Sequence, residues 1–519
     1  MCGLVRVVCF LILFFDYQTN AANILAVFPS PSLSHQVIFQ PLTKELASRG
    51  HNLTVITTDP VFTKDNISNL REIDVHDVSY NIWKDDFIEQ ERFGEKSSVF
   101  NQLINAKSFM VNVTTLQLEV DEVKSLINNE DIQFDLLLIE AWTRHALIYS
   151  HIFKAPVILV SSFGMMLGNE ENVGAPIHPI LYSMVFQQRL YNLTFWEKFD
   201  ALYRDWWCRT QWVSGEVEEI HHYRKLLGRY IPHYKELRNN VDMLFLNSHP
   251  VWMNNQPFPP NVISIWGIHK KPEKPLPKDL QDFLDSSKHG VIYISFGTNA
   301  PSCYLPSHFI QLLIRVFSKL PYDVLWKWEK DVLPGKSENI RISKWLPQSD
   351  LLKHSKIKLF ITQGGLQSTD EAITAGVPVI GIPMLGDQWY NAEKFAHHGI
   401  GIKLDMETIN DKELEAAIDN VINDRSYRDN VIRLRSVMRD QPESGLQRAV
   451  WWTEYVLRHG GAKHLRSPAA NMPWTEYYEI DFLLKLLLIA CSFIVASFIV
   501  FYSISKLVFD NVNQKRKTL

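Results

Sequence analysis

A stretch of glycines and polar residues in the second half of the chain could bind a phosphorylated ligand. A predicted strand ends at Thr362, Gly364 and Gly365 follow, and a predicted helix begins near Ser368. Glycines let a backbone approach a phosphate closely, and the start of a helix presents unpaired N–H groups to an anion. Two glycines in a row also suit a simple tight turn, so this pattern alone leaves both interpretations open.

Two side chains near this turn have the chemistry to hold a nucleoside. Glu371 lies about one turn into the predicted helix, where its carboxylate could accept hydrogen bonds from two vicinal hydroxyls. Trp345 follows a strand and could stack on a base, although tryptophan is more often buried in a core. In the first half, His35 follows the first predicted strand, and histidine titrates near neutral pH, as a general base requires. A single histidine is nevertheless more often structural.

The elements that must position these residues alternate between strands and helices. In the first half, a helical pattern that ends at Arg49 separates the first two of four apolar, strand-like runs: Asn23–Phe28, Leu53–Thr58, Leu136–Ile139 and Val157–Val160. The Lys270–Pro277 segment has the composition of a semi-rigid linker. Beyond it the alternation begins again, with strands predicted at Val291–Phe296, Asp323–Lys327, Lys358–Thr362 and Val379–Ile382, and helices at Pro306–Lys319 and Thr369–Ala375. The pattern predicts two doubly wound α/β domains that face each other across a ligand-binding cleft.

Both ends of the chain have the composition of targeting segments. Residues 1–22 are predicted to be a signal peptide, with Arg6 before an apolar stretch. Residues 482–505 are predicted to be a transmembrane helix, since Leu486–Ser505 contains no charged residue and is long enough to cross ~30 Å of hydrocarbon. The basic tail, residues 506–519, favours the cytosolic side, which places the main body outside the cytosol.

Length and composition set the remaining limits. A chain of 519 residues with 46% hydrophobic and 21% charged residues predicts more than one folded unit. We divide it into residues 23–269, a linker at 270–280, residues 281–450, and a juxtamembrane segment at 451–481. The net charge of -4 gives no reason to expect nucleic acid as a partner. No cysteine or histidine pattern suggests a metal, and Cys208 and Cys303 are the only cysteines in the body. Sequons occur at Asn52, Asn66, Asn112 and Asn192; we expect the one at Asn52 to be unmodified because it opens a predicted buried strand.

The polar positions of the second half, taken together, resemble the signature of the UDP-glycosyltransferase family, which includes the UDP-glucuronosyltransferases. Its parts are Trp345-x-x-Gln348, Gln363-Gly364-Gly365-x-x-Ser368-x-x-Glu371, Gly376-Val377-Pro378 and Asp387-Gln388. The resemblance extends over nearly the whole chain, and the tail resembles the dilysine-type retrieval signal of endoplasmic reticulum members, although a generic cytosolic anchor would look the same.

The resemblance implies a GT-B fold and a set of roles in binding a UDP-sugar. Trp345 would stack on uracil with Gln348 beside the nucleoside, and Glu371 would hold the ribose. The residues expected at the diphosphate are Ser295, Thr298, Gln363, Gly364, Gly365 and Ser368, and those expected at the sugar hydroxyls are Asp387 and Gln388. Position 363 is glutamine where many members carry histidine, so this side chain can donate a hydrogen bond but never become a cation. No cofactor or metal is implied.

The resemblance also implies the catalytic pair. In the family a histidine of the first loop is the base and an acidic residue after a buried strand orients it, so His35 would take the acceptor proton and Glu140 would stabilise the resulting charge. Asp135 enters the same strand from the opposite edge and is expected to be structural. The reaction would be a one-step inverting transfer to a hydroxyl group. Glucuronosyl members carry an arginine at the position that aligns with Asn247, which favours UDP-glucose over UDP-glucuronate as donor.

The acceptor is expected to be a small lipophilic molecule bound by the first half. Five aromatic residues there fit either the acceptor site or a helix core: Trp83, Phe87, Phe93, Phe100 and Phe109. The aromatic-rich stretch Met184–Trp212 could rest on membrane lipid. A non-catalytic UDP-sugar-binding membrane protein is the main alternative. A nicotinamide-dependent oxidoreductase is disfavoured because GxGxxG is absent after the first strand. A homo-oligomer is left open.

Overall fold

The computed structural model describes residues 21–62, 67–83, 93–95 and 99–517. The signal-peptide prediction falls almost entirely on residues 1–20, and the sequon at Asn66 and the aromatic residue Phe87 also lie outside the described residues. The description below concerns the described residues alone.

The first half forms a seven-stranded sheet in the order β3-β2-β1-β4-β5-β6-β7, and all six strand pairs are parallel. Its strands are β1 Asn23–Phe28, β2 Asn52–Thr57, β3 Leu70–Asp74, β4 Leu136–Glu140, β5 Val157–Ser161, β6 Val241–Leu246 and β7 Val262–Ser264. The α-helices of this half are Leu33–Ser48, His76–Ile82, Val99–Leu118, Asp121–Asn128, Ile148–Phe153, Asn169–Val173, Phe195–Val213, Glu216–Leu227 and Tyr234–Leu237. The central strands are buried along their whole length because separate apolar clusters cover the two faces of the sheet.

The second half forms a six-stranded parallel sheet in the order β10-β9-β8-β11-β12-β13. Its strands are β8 Val291–Ser295, β9 Asp323–Lys327, β10 Ile340–Ser343, β11 Ile357–Thr362, β12 Val379–Gly381 and β13 Gly401–Lys403. Its α-helices are Lys278–Ser286, Ser307–Phe317, Gln348–Leu351, Leu366–Ala375, Gln388–His397, Asp411–Asn423 and Arg425–Arg439. Two apolar clusters again cover the two faces.

The sequence located most central strands to within one or two residues, but it assigned no range to five strands of the described fold. These are β3, β6, β7, β10 and β13, and all of them except β6 are outermost strands of their sheets. Edge strands are short and partly exposed, so they lack the continuous apolar run by which the central strands were recognised.

The Gly445–His459 helix returns from the second half to pack on the first. Its Ala449, Val450 and Val456 join the apolar cluster beside the Leu33–Ser48 helix. Arg49 at the end of that helix donates to Glu454 Oε1 at 3.2 Å. The chain therefore crosses between the two sheets twice, which links them beyond the 270–277 segment.

The chain ends in the short helix Trp474–Tyr477 and the helix Ile480–Lys517. Among the described residues, Ile480–Gln514 is the one stretch of helix long and apolar enough to cross a membrane; its best window has a mean hydropathy of 2.6 and is not buried by the rest of the chain. It contains the predicted span at 482–505 and is suited to anchor the protein.

Candidate active site

The carboxyl edge of the first sheet brings a histidine and a glutamate into contact. His35 lies in the first turn of the Leu33–Ser48 helix, which follows β1, and Glu140 is the last residue of β4. Because β1 and β4 are parallel neighbours, with Val27 opposite Ile139, both residues lie at the same edge. His35 Nδ1 and Glu140 Oε1 are 2.7 Å apart, and both side chains are buried.

Glu140 is held by two further donors. The backbone N–H of Ser30 donates to Oε2 at 3.1 Å, and the indole N–H of Trp142 donates to Oε1 at 3.0 Å. The Phe163 ring lies edge-on to the imidazole at 4.8 Å between centroids. With Nδ1 engaged by the carboxylate, Nε2 of His35 is available to accept a proton in the cavity that this residue lines.

The carboxyl edge of the second sheet supplies two adjacent turns. β8 ends at Ser295 and β11 at Thr362, and these two residues are register partners. Gly364 has a φ of +89°, a conformation that other residues rarely adopt. Gly297 likewise has a φ of +79°, and a Cβ there would press on the Gln363 amide, so this position also favours glycine. Gln363 is buried, and its Oε1 has no hydrogen-bond partner within the described part of the chain.

The Leu366–Ala375 helix begins directly after these turns. No side chain of the described residues caps its N-terminus, and its first residues, from Gly365 to Ser368, line the cavity. Such a helix start is a site where a phosphate oxygen is stabilised.

A hydrogen-bond network connects this helix to the residues expected at the nucleoside. Gln348 Nε2 donates to Glu371 Oε2 at 2.7 Å and to Ser368 Oγ at 2.9 Å, and Tyr293 Oη donates to Gln348 Oε1 at 2.9 Å. Burial raises the pKa of Glu371. Trp345 is 62% exposed at the rim of the cavity, which is the arrangement of a stacking surface and not of a core tryptophan.

Asp387 and Gln388 lie at the start of the Gln388–His397 helix and face the cavity from the second half. Asn391 Nδ2 donates to Asp387 Oδ2 at 2.8 Å, and the backbone N–H groups of Met384 and Leu385 donate to Gln388 Oε1. Burial raises the pKa of Asp387 to about 6, with the hydrogen bond from Asn391 and the charge of His35 acting in the opposite direction. His35 and Asp387 thus line the same cavity, one from each half of the chain.

A single cavity of about 620 Å³ contains nearly all the residues selected from sequence. Glu140 lies behind His35 and Gly364 beneath Gly365, so these two do not line it; the residues that do are His35, Ser295, Thr298, Trp345, Gln348, Gln363, Gly365, Ser368, Glu371, Asp387 and Gln388. The end of the cavity near His35 is apolar, with Leu33, Phe163, Met166 and Phe186 in its wall.

Some of the aromatic residues considered for the acceptor site line the cavity, and others are packed in an apolar core. Trp83 and Phe109 line the cavity. Phe93 is buried in the apolar core of the second sheet, and Phe100 packs on Trp207 at 4.6 Å between ring centroids. Phe93 lies on a different unit from the one predicted, because the chain near Gly94 reaches across to bond Met384 O.

Many cavity residues were not selected from sequence, and three of them make polar contacts at the site. Trp142 is the second residue after Glu140 and donates to it, Asn299 Nδ2 donates to Ser32 Oγ across the cleft at 3.0 Å, and Lys327 Nζ donates to Gly297 O at 2.8 Å. Lys327 ends a strand that neighbours β8, so strand order would have indicated it. The contacts of Trp142 and Asn299 depend on side-chain packing and left no signal in the sequence.

The structure also shows where four other residues or pairs considered from the sequence lie. Asn247 is fully buried and donates to Ser162 O at 3.3 Å; it does not line the cavity. Asp135 accepts from the Asn23 backbone at the opposite edge of the sheet, as expected. Cys208 and Cys303 are both free thiols. The Asn52 side chain is exposed at the start of β2, although its strand is buried further along.

Solved structures share this architecture. A UDP-glucosyltransferase from Polygonum tinctorium aligns over 85% of this chain and 100% of its own, with a TM-score of 0.57 and 15% identity. A glycotransferase of kitacinnamycin aligns over 85% and 99%, with a TM-score of 0.56 and 17% identity. Two facing parallel sheets with a cleft between their carboxyl edges thus define a protein of the GT-B glycosyltransferase fold.

The family follows from sequence comparison. The model for the family described as UDP-glucoronosyl and UDP-glucosyl transferase matches residues 23–518, and the chain belongs to this family. An ecdysteroid UDP-glucosyltransferase of Spodoptera littoralis nuclear polyhedrosis virus is 34% identical over 91% of this chain and 95% of its own. A UDP-glycosyltransferase of Dactylopius coccus is 34% identical over 93% and 91%. The protein is a UDP-glycosyltransferase.

Proposed function

We propose that the enzyme transfers glucose from UDP-glucose to a hydroxyl group of a small lipophilic acceptor, with His35 as general base. The 2.7 Å contact between His35 and Glu140 supports this most directly, because it aims a basic nitrogen into the cavity that Asp387 also lines. The test is UDP release by the full-length enzyme in membranes, with a panel of phenols and an ecdysteroid offered alongside UDP-glucose. UDP release that does not depend on an acceptor would contradict the proposal, and so would the absence of UDP release with every acceptor.

In the proposed reaction the acceptor oxygen attacks the anomeric carbon while His35 Nε2 takes its proton. The bond from that carbon to the diphosphate oxygen breaks, UDP departs with the electron pair, and the configuration inverts. Glu140 stabilises the imidazolium that forms, since its carboxylate already accepts from Nδ1. The N-terminus of the Leu366–Ala375 helix stabilises the charge that develops on UDP.

The remaining roles concern the donor. We assign uracil stacking to Trp345, ribose recognition to Glu371 and Gln348, and sugar hydroxyls to Asp387 and Gln388. The diphosphate is assigned to the two turns and the helix start, through Ser295, Thr298, Gln363, Gly364, Gly365 and Ser368. Gln363 supports this because it lines the cavity beside Gly365 and Ser368, and its amide N–H can donate to a phosphate oxygen.

The choice of UDP-glucose now rests on the relatives. Their descriptions name glucosyl transfer, whereas Asn247 is too deeply buried to meet the sugar and carries no weight. Competition between UDP-glucose and UDP-glucuronate with one phenol tests the choice, and faster transfer from UDP-glucuronate would overturn it.

The roles of the two halves of the chain and the cellular location of the protein are further proposals. We assign acceptor binding to residues 23–269 and donor binding to residues 281–450. A cleaved signal, the Ile480–Gln514 helix as a single span and the basic tail would make the protein type I in the endoplasmic reticulum membrane, with its catalytic body in the lumen. Protease protection of the body in sealed microsomes, with an accessible tail, is the expected result.

A further inference from the structure

One helix of the first half exposes a large apolar face. The Phe195–Val213 helix starts with a capping box at Thr194 and Glu197, and buries one side at Ala201, Asp205, Cys208 and Trp212. Exposed apolar side chains follow at Phe195, Trp196, Phe199, Leu202, Tyr203, Trp206 and Val213, with exposures from 47% to 73%. With successive residues ~100° apart, these seven occupy a sector of roughly 120° opposite the buried side.

A face of this kind is unusual for a surface in contact with water. Contiguous exposed apolar patches mark sites that contact a protein or a membrane. The outward side chains include two tryptophans and a tyrosine, the residue types that concentrate where lipid headgroups meet hydrocarbon.

The contacts of the helix indicate which partner covers its apolar face. Arg209 Nη1 of this helix donates to Glu171 Oε1 at 2.7 Å, and the backbone carbonyl of the same Glu171 accepts from Asn471 N at 2.7 Å. Asn471 lies shortly before Ile480, where the membrane-spanning candidate begins. The apolar face is therefore tied, through one residue, to the segment that enters the span.

That segment has an aromatic surface of its own. Trp474, Tyr477 and Tyr478 are 66%, 52% and 58% exposed immediately before the span. The link through Glu171 and Asn471 thus joins two segments with outward aromatic residues, one on the helix and one at the start of the anchor.

We propose that the outer face of the Phe195–Val213 helix lies in the lipid surface of the membrane that the Ile480–Gln514 helix crosses. The helix would lie along the headgroup boundary with its aromatic side chains ~5–10 Å deep. The exposed Lys198 lies beside the face and can extend towards the headgroups. The inference rests on the membrane anchoring proposed above.

The test is photolabelling of the full-length protein in phosphatidylcholine vesicles that contain a phosphatidylcholine with a diazirine near the top of one acyl chain. Lipid adducts are mapped by mass spectrometry. We expect adducts on the 195–213 peptide and on the 480–505 peptide, and background labelling on the peptide that contains the exposed Tyr304 of the second half. Labelling of 480–505 with only background on 195–213 would overturn the helix assignment, whereas no labelling of 480–505 would overturn the anchor itself.

A matched pair of variants excludes a general effect of hydrophobicity. Trp196→Ser, Phe199→Ser and Trp206→Ser together should lower labelling of the helix peptide at least ~10-fold, because each exposed ring contributes separately to insertion. Turnover of a water-soluble acceptor should not change, since none of the three lines the cavity. Tyr304→Ser with Val332→Ser, at exposed positions of the second half, should leave labelling unchanged. Equal labelling in the triple variant, or protein–protein cross-links from 195–213 in place of lipid adducts, would overturn the proposal.

Discussion

His35 Nδ1 and Glu140 Oε1 lie 2.7 Å apart although 105 residues separate them in the chain. The contact exists because β1 and β4 are adjacent parallel strands, so the residues that follow or end them meet at one edge. The pair is buried, and His35 lines a cavity that Asp387 of the other half also lines, so the first predictions concern this pair.

Replacing the base should remove turnover and leave donor binding intact. His35→Gln retains an amide that can donate to Glu140 but cannot take a proton, so we expect kcat to fall about 10²- to 10⁴-fold. Steady-state UDP release measures kcat, and UDP affinity by calorimetry serves as the control. Turnover within a factor of ~3 of wild type would remove His35 from the mechanism.

Weakening the carboxylate should act through the histidine. Glu140→Gln keeps an acceptor oxygen for Nδ1–H but loses the charge, so kcat should fall less than in His35→Gln. Adding Glu140→Gln to His35→Gln should cause little further loss, because the two residues act as one unit. Additive losses in the double variant would show that Glu140 acts elsewhere.

Trp142→Phe removes one of the donors to Glu140 and should lower kcat by a smaller amount than Glu140→Gln does.

Donor binding should weaken in acid because of Asp387. Burial raises its pKa to about 6, so the carboxylate that would hold sugar hydroxyls becomes protonated as the pH falls through 6. The KM for the donor should rise below this pH, and Asp387→Asn should have a high KM that depends less on pH. A wild-type KM that is constant between about pH 5 and pH 8 would contradict the assignment.

The raised pKa of Asp387 also determines how the free energy of unfolding changes with pH. Between the ordinary carboxyl pKa of about 4 and a pKa of about 6, the folded protein binds more protons than the unfolded chain at this position. The contribution of Asp387 to the free energy of unfolding therefore decreases as the pH rises through this window. Asp387→Asn should remove that slope in denaturant titrations.

Removing the exposed indole should weaken nucleotide binding without unfolding the protein. Trp345→Ala should raise the Kd for UDP by about 5- to 150-fold, corresponding to ~1–3 kcal/mol of base stacking. Trp345→Tyr should retain most of the affinity. Because the side chain is 62% exposed, thermal unfolding should barely change, and an unaltered Kd in the alanine variant would place the base elsewhere.

Lys394 should make stability depend on pH in the alkaline range. Its Nζ donates to Asn254 Oδ1 at 2.7 Å and lies 4.7 Å from the centre of the Tyr390 ring, and burial lowers its pKa to about 7. Between pH 7 and its unfolded pKa of 10.5 the unfolded chain binds more protons, so the free energy of unfolding should rise with pH. Lys394→Met should be more stable at neutral pH with a flatter profile. The exposed control Lys278→Met should follow wild type, and a Lys394→Met profile parallel to wild type would contradict the shift.

Patterns in the sequence determined the family, the two doubly wound sheets and the spacing of the residues from Trp345 to Gln388 that we propose bind the donor. Such features are local: a buried parallel strand is a continuous apolar run, and a phosphate turn is two glycines between a strand and a helix. His35 and Glu140 could be selected from the sequence for the same reason, since each follows or ends a recognisable strand.

Tertiary structure decided what depends on contacts between distant segments. It buried Asn247 away from the cavity, placed Phe93 in the core of the other half, and brought the Trp142 indole to Glu140. It also turned the aromatic side of the Phe195–Val213 helix outwards, while the composition of Met184–Trp212 indicated only that aromatic residues were present. Which side of a helix is buried, and which atoms meet across a cleft, is set by packing between elements, and no single segment contains that information.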